Sequence, residues 1–289
     1  MSQLTQTDPR LLVTTALVAA VVLWAICYTR RATVKQRKRR SQLHNEGLSP
    51  RQRILIEKAL PWYRRIPPDL RRDLEGCARV FLDEIPLEPC GALQEVTEEM
   101  QLVIATLACL LVVRRPKGMD EFQRLNVVLV HPTSFSTPME ESLGDVSLVD
   151  EDERVGESWE EGTVVIAWDA VLSGSLNHSD GLNVVAHEFS HQLDQIDGSS
   201  DGAPILDRSD DYQSWTSVLS ASYDHLRESI ETGAESVLDE YGTENPAEFF
   251  AVATEAFFEH PHALAHETPD LFSELKKFYR LDPRKWRPS

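Results

Sequence analysis

One stretch constrains this chain more than any other: Val184–Asp194, which reads Val-Val-Ala-His-Glu-Phe-Ser-His-Gln-Leu-Asp. At about 3.6 residues per turn, a helix here stacks His187 and His191 on one face, one turn apart. Two imidazoles so placed can hold one metal ion, and Glu188, flanking that face, can reach a water beside it. A zinc-dependent peptidase needs this arrangement. The competing reading is a chance pair on a solvated helix. Against it, Leu182, Val184, Val185, Ala186, Phe189 and Leu193 mark a largely buried segment, where two His and a Glu are costly unless something satisfies them.

A catalytic zinc takes three protein ligands and keeps one position for water, so a third ligand must come from beyond His191. Asp194, one turn on, suits a supporting or capping role better than coordination. The turn-rich residues 197–204 end the helix. After them Trp215, Leu219, Ser222, Leu226 and Ile230 predict a helix with a core-facing stripe. Within residues 241–258, Asn245 can cap a helix whose first position is Pro246, which puts Glu248 in the first turn and Glu255 two turns further along the same face. Acids at both positions of an otherwise apolar helix ask for a partner.

The start of the chain predicts a membrane anchor. Residues 11–28 carry no charge and are bounded by Arg10 and Arg30; as a helix they reach about 27 Å, close to the hydrocarbon thickness of a bilayer. Nothing resembling a small-x-small cleavage site follows, so the reading is one transmembrane helix rather than a removed signal. Arg30, Arg31, Lys35, Arg37, Lys38, Arg39 and Arg40 come next. The positive-inside rule then places the amino terminus outside and the remainder in the cytoplasm, as a single-pass protein of the inner membrane.

Charge divides the chain. Residues 1–40 hold eight Lys and Arg against one acid, whereas the rest holds 21 against 46. A body that acidic excludes direct nucleic-acid binding through its general surface. Cys27, Cys77, Cys90 and Cys109 have no metal-like spacing and read as reduced, structural thiols. The expected organisation is a tail and anchor over 1–29, a basic linker over 30–50, a helical half over 51–139, an acidic loop over 140–162 and a zinc-binding half over 163–289. Thr97 should start a core helix that runs through 102–113. Residues 125–132 and 162–168, rich in β-branched side chains, read as strands. The second strand, just upstream of the His-Glu-x-x-His helix, is placed to line a cleft to which an extended peptide can add, or is an ordinary interior strand. His131, alone at a strand end, reads as an ordinary polar residue. The fold class is therefore α+β: a mainly helical domain with a small sheet, preceded by one transmembrane helix.

Taken together, residues 187–194, Asp197-Gly198, Gly202-Ala203-Pro204 and 241–258 resemble the Mlc titration factor A family of bacterial zinc metallopeptidases. Ile104-Ala105 through Leu111, the strand ending at Pro132 and residues 156–168 add to the likeness, which covers roughly 50–281. The resemblance implies a zincin-like catalytic core similar to that of anthrax lethal factor protease. It implies Zn2+ held by His187, His191 and Glu248, with Glu188 as general base and Tyr241 supporting the transition state. It also implies a peptide or protein substrate, with aminopeptidase and endopeptidase action both open. A transcriptional repressor is implied as a partner, so a binding module with weak or latent peptidase activity is the alternative function. A purely structural zinc site is third, and the intact Glu188 speaks against it because such a site needs no base.

Overall fold

The computed structural model describes residues 9–133, 162–176 and 181–287. The chain divides into two compact units, Met1–Glu46 and Gly47–Ser289.

In the first unit a single helix, α1, runs Pro9–Glu46 over 38 residues. Among the described residues no helix is long and apolar enough to cross a membrane. That corrects the expected transmembrane helix, and with it the membrane as a partner and the single-pass inner-membrane localisation. A spanning helix must stay apolar between polar ends. Here the uncharged run is instead continuous with Arg30, Arg31, Lys35, Arg37, Lys38, Arg39 and Arg40 in the same helix.

The second unit is built of helices around a small sheet. Ser49 opens α2 (Pro50–Ala59) with a reciprocal cap: its hydroxyl accepts from the Gln52 amide while its own amide donates to the Gln52 side chain. Next come α3 (Pro68–Glu84) and α4 (Glu98–Leu110), the latter capped at Thr97, whose hydroxyl accepts from the Met100 amide. Residues 102–112 are buried without interruption, so α4 is the central core helix that the apolar run predicts.

Three short strands, β1 (Leu87–Pro89), β2 (Val127–His131) and β3 (Thr163–Ala167), pair in parallel in that order. The expected strands are β2 and β3; β1, three residues ending in proline, carries no readable pattern. The bulk of the acidic loop, residues 140–161, lies outside the described residues. Beyond the sheet follow α5 (Trp168–Leu176), α6 (Val184–Asp194), α7 (Asp211–Thr232), α8 (Pro246–Glu259), α9 (Pro261–Glu267) and α10 (Pro269–Tyr279). The stripe on α7 holds at Trp215, Leu219, Ser222 and Leu226, but Ile230 is exposed and Ser229 takes the inward position.

Two aromatic clusters fix the helices that matter most. Phe189, on the buried side of α6, lies 5.8 Å from Phe81 of α3 and 5.2 Å from Phe122, ring centre to ring centre. Phe250 of α8 meets Trp215 of α7 at 5.7 Å and Phe278 of α10 at 5.7 Å. Contacts of this kind each add about 0.5–1.5 kcal/mol beyond the area they bury. Both helices are thus held from behind, and their polar faces meet.

Candidate metal centre

The polar faces of α6 and α8 follow from spacing. On α6, Asn183 at the cap, His187 and His191 recur every four residues; on α8, Glu248, Glu255 and Glu259 fall within about 20° of one line along the helix. The helices run antiparallel across this seam, so the six side chains interlock in a staggered ladder. His187 Nε2 is 3.0 Å and His191 Nε2 3.4 Å from Glu248 Oε2. His187 Nδ1 is 2.7 Å from Glu255 Oε1. The backbone amide of Asn183 donates to Glu255 Oε2, and its side-chain amide donates to Glu259 Oε1 at 2.8 Å.

Glu248 reaches this seam because Asn245 caps α8 as its sequence predicts, accepting from the amides of Ala247 and Glu248 at 2.9 and 3.0 Å, with Pro246 at the first helical position. Phe249, Val252, Ala253 and Ala256 are all buried and allow close helix approach. A loop fastens the start of α8. The Gly202 amide donates to Asp194 Oδ2 at 2.9 Å, its carbonyl accepts from the Trp215 indole at 3.0 Å, and a Cβ built on it meets the Pro246 carbonyl at 2.3 Å. With φ at +73°, this position suits glycine alone. Asp194 thus anchors this loop through Gly202.

His187, His191 and Glu248 each offer one ligand atom, and these atoms lie within 4.8 Å of one another; among the described residues no other such group occurs. Glu188 sits beside them. Its Oε2 is wholly shielded from solvent yet accepts no hydrogen bond, an arrangement that is costly unless something further enters the site. Two imidazoles, a carboxylate and this unsatisfied oxygen fit a divalent metal with a water beside it.

The charges agree. Burial alone would lower the His187 pKa, but hydrogen bonds to Glu248 and Glu255 outweigh it and raise it to about 10. Burial would likewise raise Glu248, yet the bonds from His187 and His191 hold it down to about 2. For Glu188 burial dominates: the charge of His187 opposes it, Glu248 and Glu255 reinforce it, and the net effect is a rise to about 8. Tyr241, in the short 3-10 turn Glu240–Thr243, is half exposed, with its ring centre 6.0 Å from that of His187. His131 stands apart at the end of β2, where Nδ1 bonds the Thr133 carbonyl at 2.8 Å.

Sequence reasoning singled out Glu255 but passed over Asn183 and Glu259. An Asn directly before a helix is a capping signal and was available; Glu259 has no local signal, because its partners come from distant parts of the chain.

The His-Glu-x-x-His helix with the grouped His187, His191 and Glu248 fits a metallopeptidase. Residues 34–280 match the family of glucose-regulated metallo-peptidase M90, and the chain belongs to that family. It is 34% identical over 232 residues to Mlc titration factor A of Pectobacterium atrosepticum, covering 78% of this chain and 84% of that protein. Mlc titration factor A of Escherichia coli is 30% identical over 240 residues, covering 78% of this chain and 88% of the other. A protein of Synechocystis is 36% identical over 271 residues, 93% of this chain and 98% of its own length.

Proposed function

We propose that this protein is a zinc-dependent peptidase, with residues 51–139 as the helical half of the peptidase unit and 163–289 as its zinc-binding half. The observation that carries the proposal is Glu248 Oε2 set between the Nε2 atoms of His187 and His191, with Glu188 adjacent. In this reading His187, His191 and Glu248 hold the metal. Two nitrogens and one oxygen are a donor set that zinc accepts. Bound zinc supplies Lewis acidity, polarising a carbonyl and acidifying water.

The remaining steps belong to the chain. Glu188 takes a proton from the attacking water and delivers it to the leaving amine. Tyr241 donates its hydroxyl to the carbonyl oxygen as charge develops there. Glu255 holds the ring of His187 from behind, so that Nε2 faces Glu248. Among the described residues β3 pairs on one side only, and Val165 on it is exposed; its open edge suits an extended peptide.

The test is Glu188→Gln in the full-length chain, which keeps size and the three ligands but removes the base. Zinc content should persist while hydrolysis of a peptide library falls by about 10²- to 10⁴-fold. Undiminished hydrolysis removes Glu188 from the mechanism. Products from the parent sort the mode: loss of single amino-terminal residues marks an aminopeptidase, and internal cuts an endopeptidase. The name Mlc titration factor A, carried by relatives, favours a second reading in which this chain captures a repressor of the Mlc type. Capture that survives Glu188→Gln separates that role from hydrolysis.

A further inference from the structure

The ladder between α6 and α8 does not stop at Glu255. Glu259 Oε1 accepts both from the Asn183 side chain and from Arg287 Nη2, the latter at 2.6 Å. Arg287 and Glu259 keep only 2% and 4% of their side-chain surface exposed, and the guanidinium lies over the Trp62 ring at 4.6 Å. At its other end Asn183 spends every polar group it has. Its Oδ1 accepts from the Ala186 amide, its carbonyl accepts from the His187 amide, its own amide donates to Glu255 and its side-chain amide to Glu259. A residue needed only to cap α6 would use the first two of these and leave both of its own donors free.

A fully buried Arg–Glu pair is a poor way to gain stability, since a well-packed apolar pair of the same volume commonly does as well or better. What it provides is direction. Each bond in the chain from Arg287 through Glu259, Asn183 and Glu255 has one acceptor and one donor that cannot be exchanged, and the chain ends on the ring nitrogen of His187 that faces away from Glu248.

We propose that Asn183, Glu259 and Arg287 are positioning residues for the metal centre: their buried hydrogen-bonded chain fixes the Glu255 carboxylate and, through it, the orientation of the His187 ring. The inference rests on the metallopeptidase reading above. Asparagine is specified at 183 because aspartate could still cap α6 but could not donate to Glu259, and would set a third carboxylate against Glu255 and Glu259.

The test compares Asn183→Asp and Glu259→Gln with the parent in the full-length chain. It reads Zn2+ affinity by chelator competition, the visible absorption of the Co2+-substituted protein and the cooperativity of thermal unfolding. Asn183→Asp should bind Zn2+ about 10- to 100-fold more weakly and shift the Co2+ bands while still unfolding cooperatively. Glu259→Gln, which keeps an acceptor for Asn183 but releases Arg287, should move both readouts in the same direction by less. Parental affinity and an unshifted Co2+ spectrum in a folded Asn183→Asp protein would overturn the inference. If that variant does not fold, the same result in Glu259→Gln overturns it. A parent that takes up no Zn2+ would overturn the metal reading together with this one, whereas a parent that loads normally beside variants that also load normally overturns only this one.

Discussion

Among the described residues two places bury an arginine against a glutamate, and they use the pair differently. Arg115 and Glu121 are 3% and 1% exposed. Arg115 donates to Glu121 at 3.0 Å, to the Phe278 carbonyl at 3.0 Å and to the Ile205 carbonyl at 3.1 Å, and lies 3.8 Å over the Phe278 ring. Beyond Glu121 its bonds end on backbone. They tie the end of α10 and the loop after α6 to the core. Arg287 meets Glu259 just as deeply, but the bonds from there run through the side chain and backbone amide of Asn183 and the Glu255 carboxylate to His187. Equal burial therefore says little about role; where the hydrogen bonds lead says more.

The comparison can be broken most directly at Arg115. Arg115→Met leaves Glu121 buried without its counter-charge and should cost about 3–5 kcal/mol of stability, read from the denaturation midpoint. The folded fraction should load zinc as the parent does. A shifted Co2+ spectrum in this variant would show that both pairs serve the site and erase the distinction. Tyr241→Phe is the opposite case. The residue is half exposed, so the melting temperature and zinc content should hold while kcat falls about 10²- to 10³-fold, roughly 2.7–4 kcal/mol. A kcat unchanged by this substitution would take Tyr241 out of the reaction.

A third prediction concerns pH. In protein stripped of metal, His187, raised to about 10, contributes stability that is fully present below pH 6.5 and lost as pH climbs through 10; Glu248, held at about 2, contributes stability present above pH 4.5 and lost as pH falls through 2. Zinc must displace the His187 proton. Apparent affinity should therefore weaken about tenfold for each unit from pH 8 down to pH 6, with proton release visible by calorimetry in two buffers. A flat affinity over that range means His187 carries no proton for the metal to displace. The smallest effect belongs to Asn245→Ala, which removes the cap of α8 and should cost about 1 kcal/mol, read by thermal unfolding. It should leave the Co2+ spectrum unmoved, because Glu248 is held by both imidazoles as well as by its helix.

Much of the site was legible because its signals are local. The four-residue spacing of His187 and His191, the Asn245-Pro246 start and the two-turn interval from Glu248 to Glu255 are properties of single helices. Likewise Thr97 announces α4, and the β-branched runs announce β2 and β3. What escaped depends on partners far along the chain. Nothing near Glu259 or Arg287 tells which of many acids and arginines is buried, and β1 is defined by the neighbour it pairs with rather than by its own three residues. The anchor reading erred in the other direction. A count over residues 11–28 treated that run as a closed segment, whereas the helix continues through the basic residues without a break.

The glycine after α6 bears on how this centre comes into being. His191 and Glu248 are separated by most of a small domain's worth of chain, and closing so long a loop by random search costs entropy that the final contacts must recover. Gly202 fastens the far end of that loop in the folded chain. Its amide reaches back only as far as Asp194, a short and inexpensive closure, and its backbone then seats directly on Pro246. Once it is seated, Glu248 lies two residues from an anchored point and needs only the first turn of its helix to arrive between the imidazoles. Most of the loop still lies between Gly202 and Pro246, so what the glycine supplies is a fixed seat for the start of α8 rather than a shorter closure, and a side chain at 202 would remove that seat.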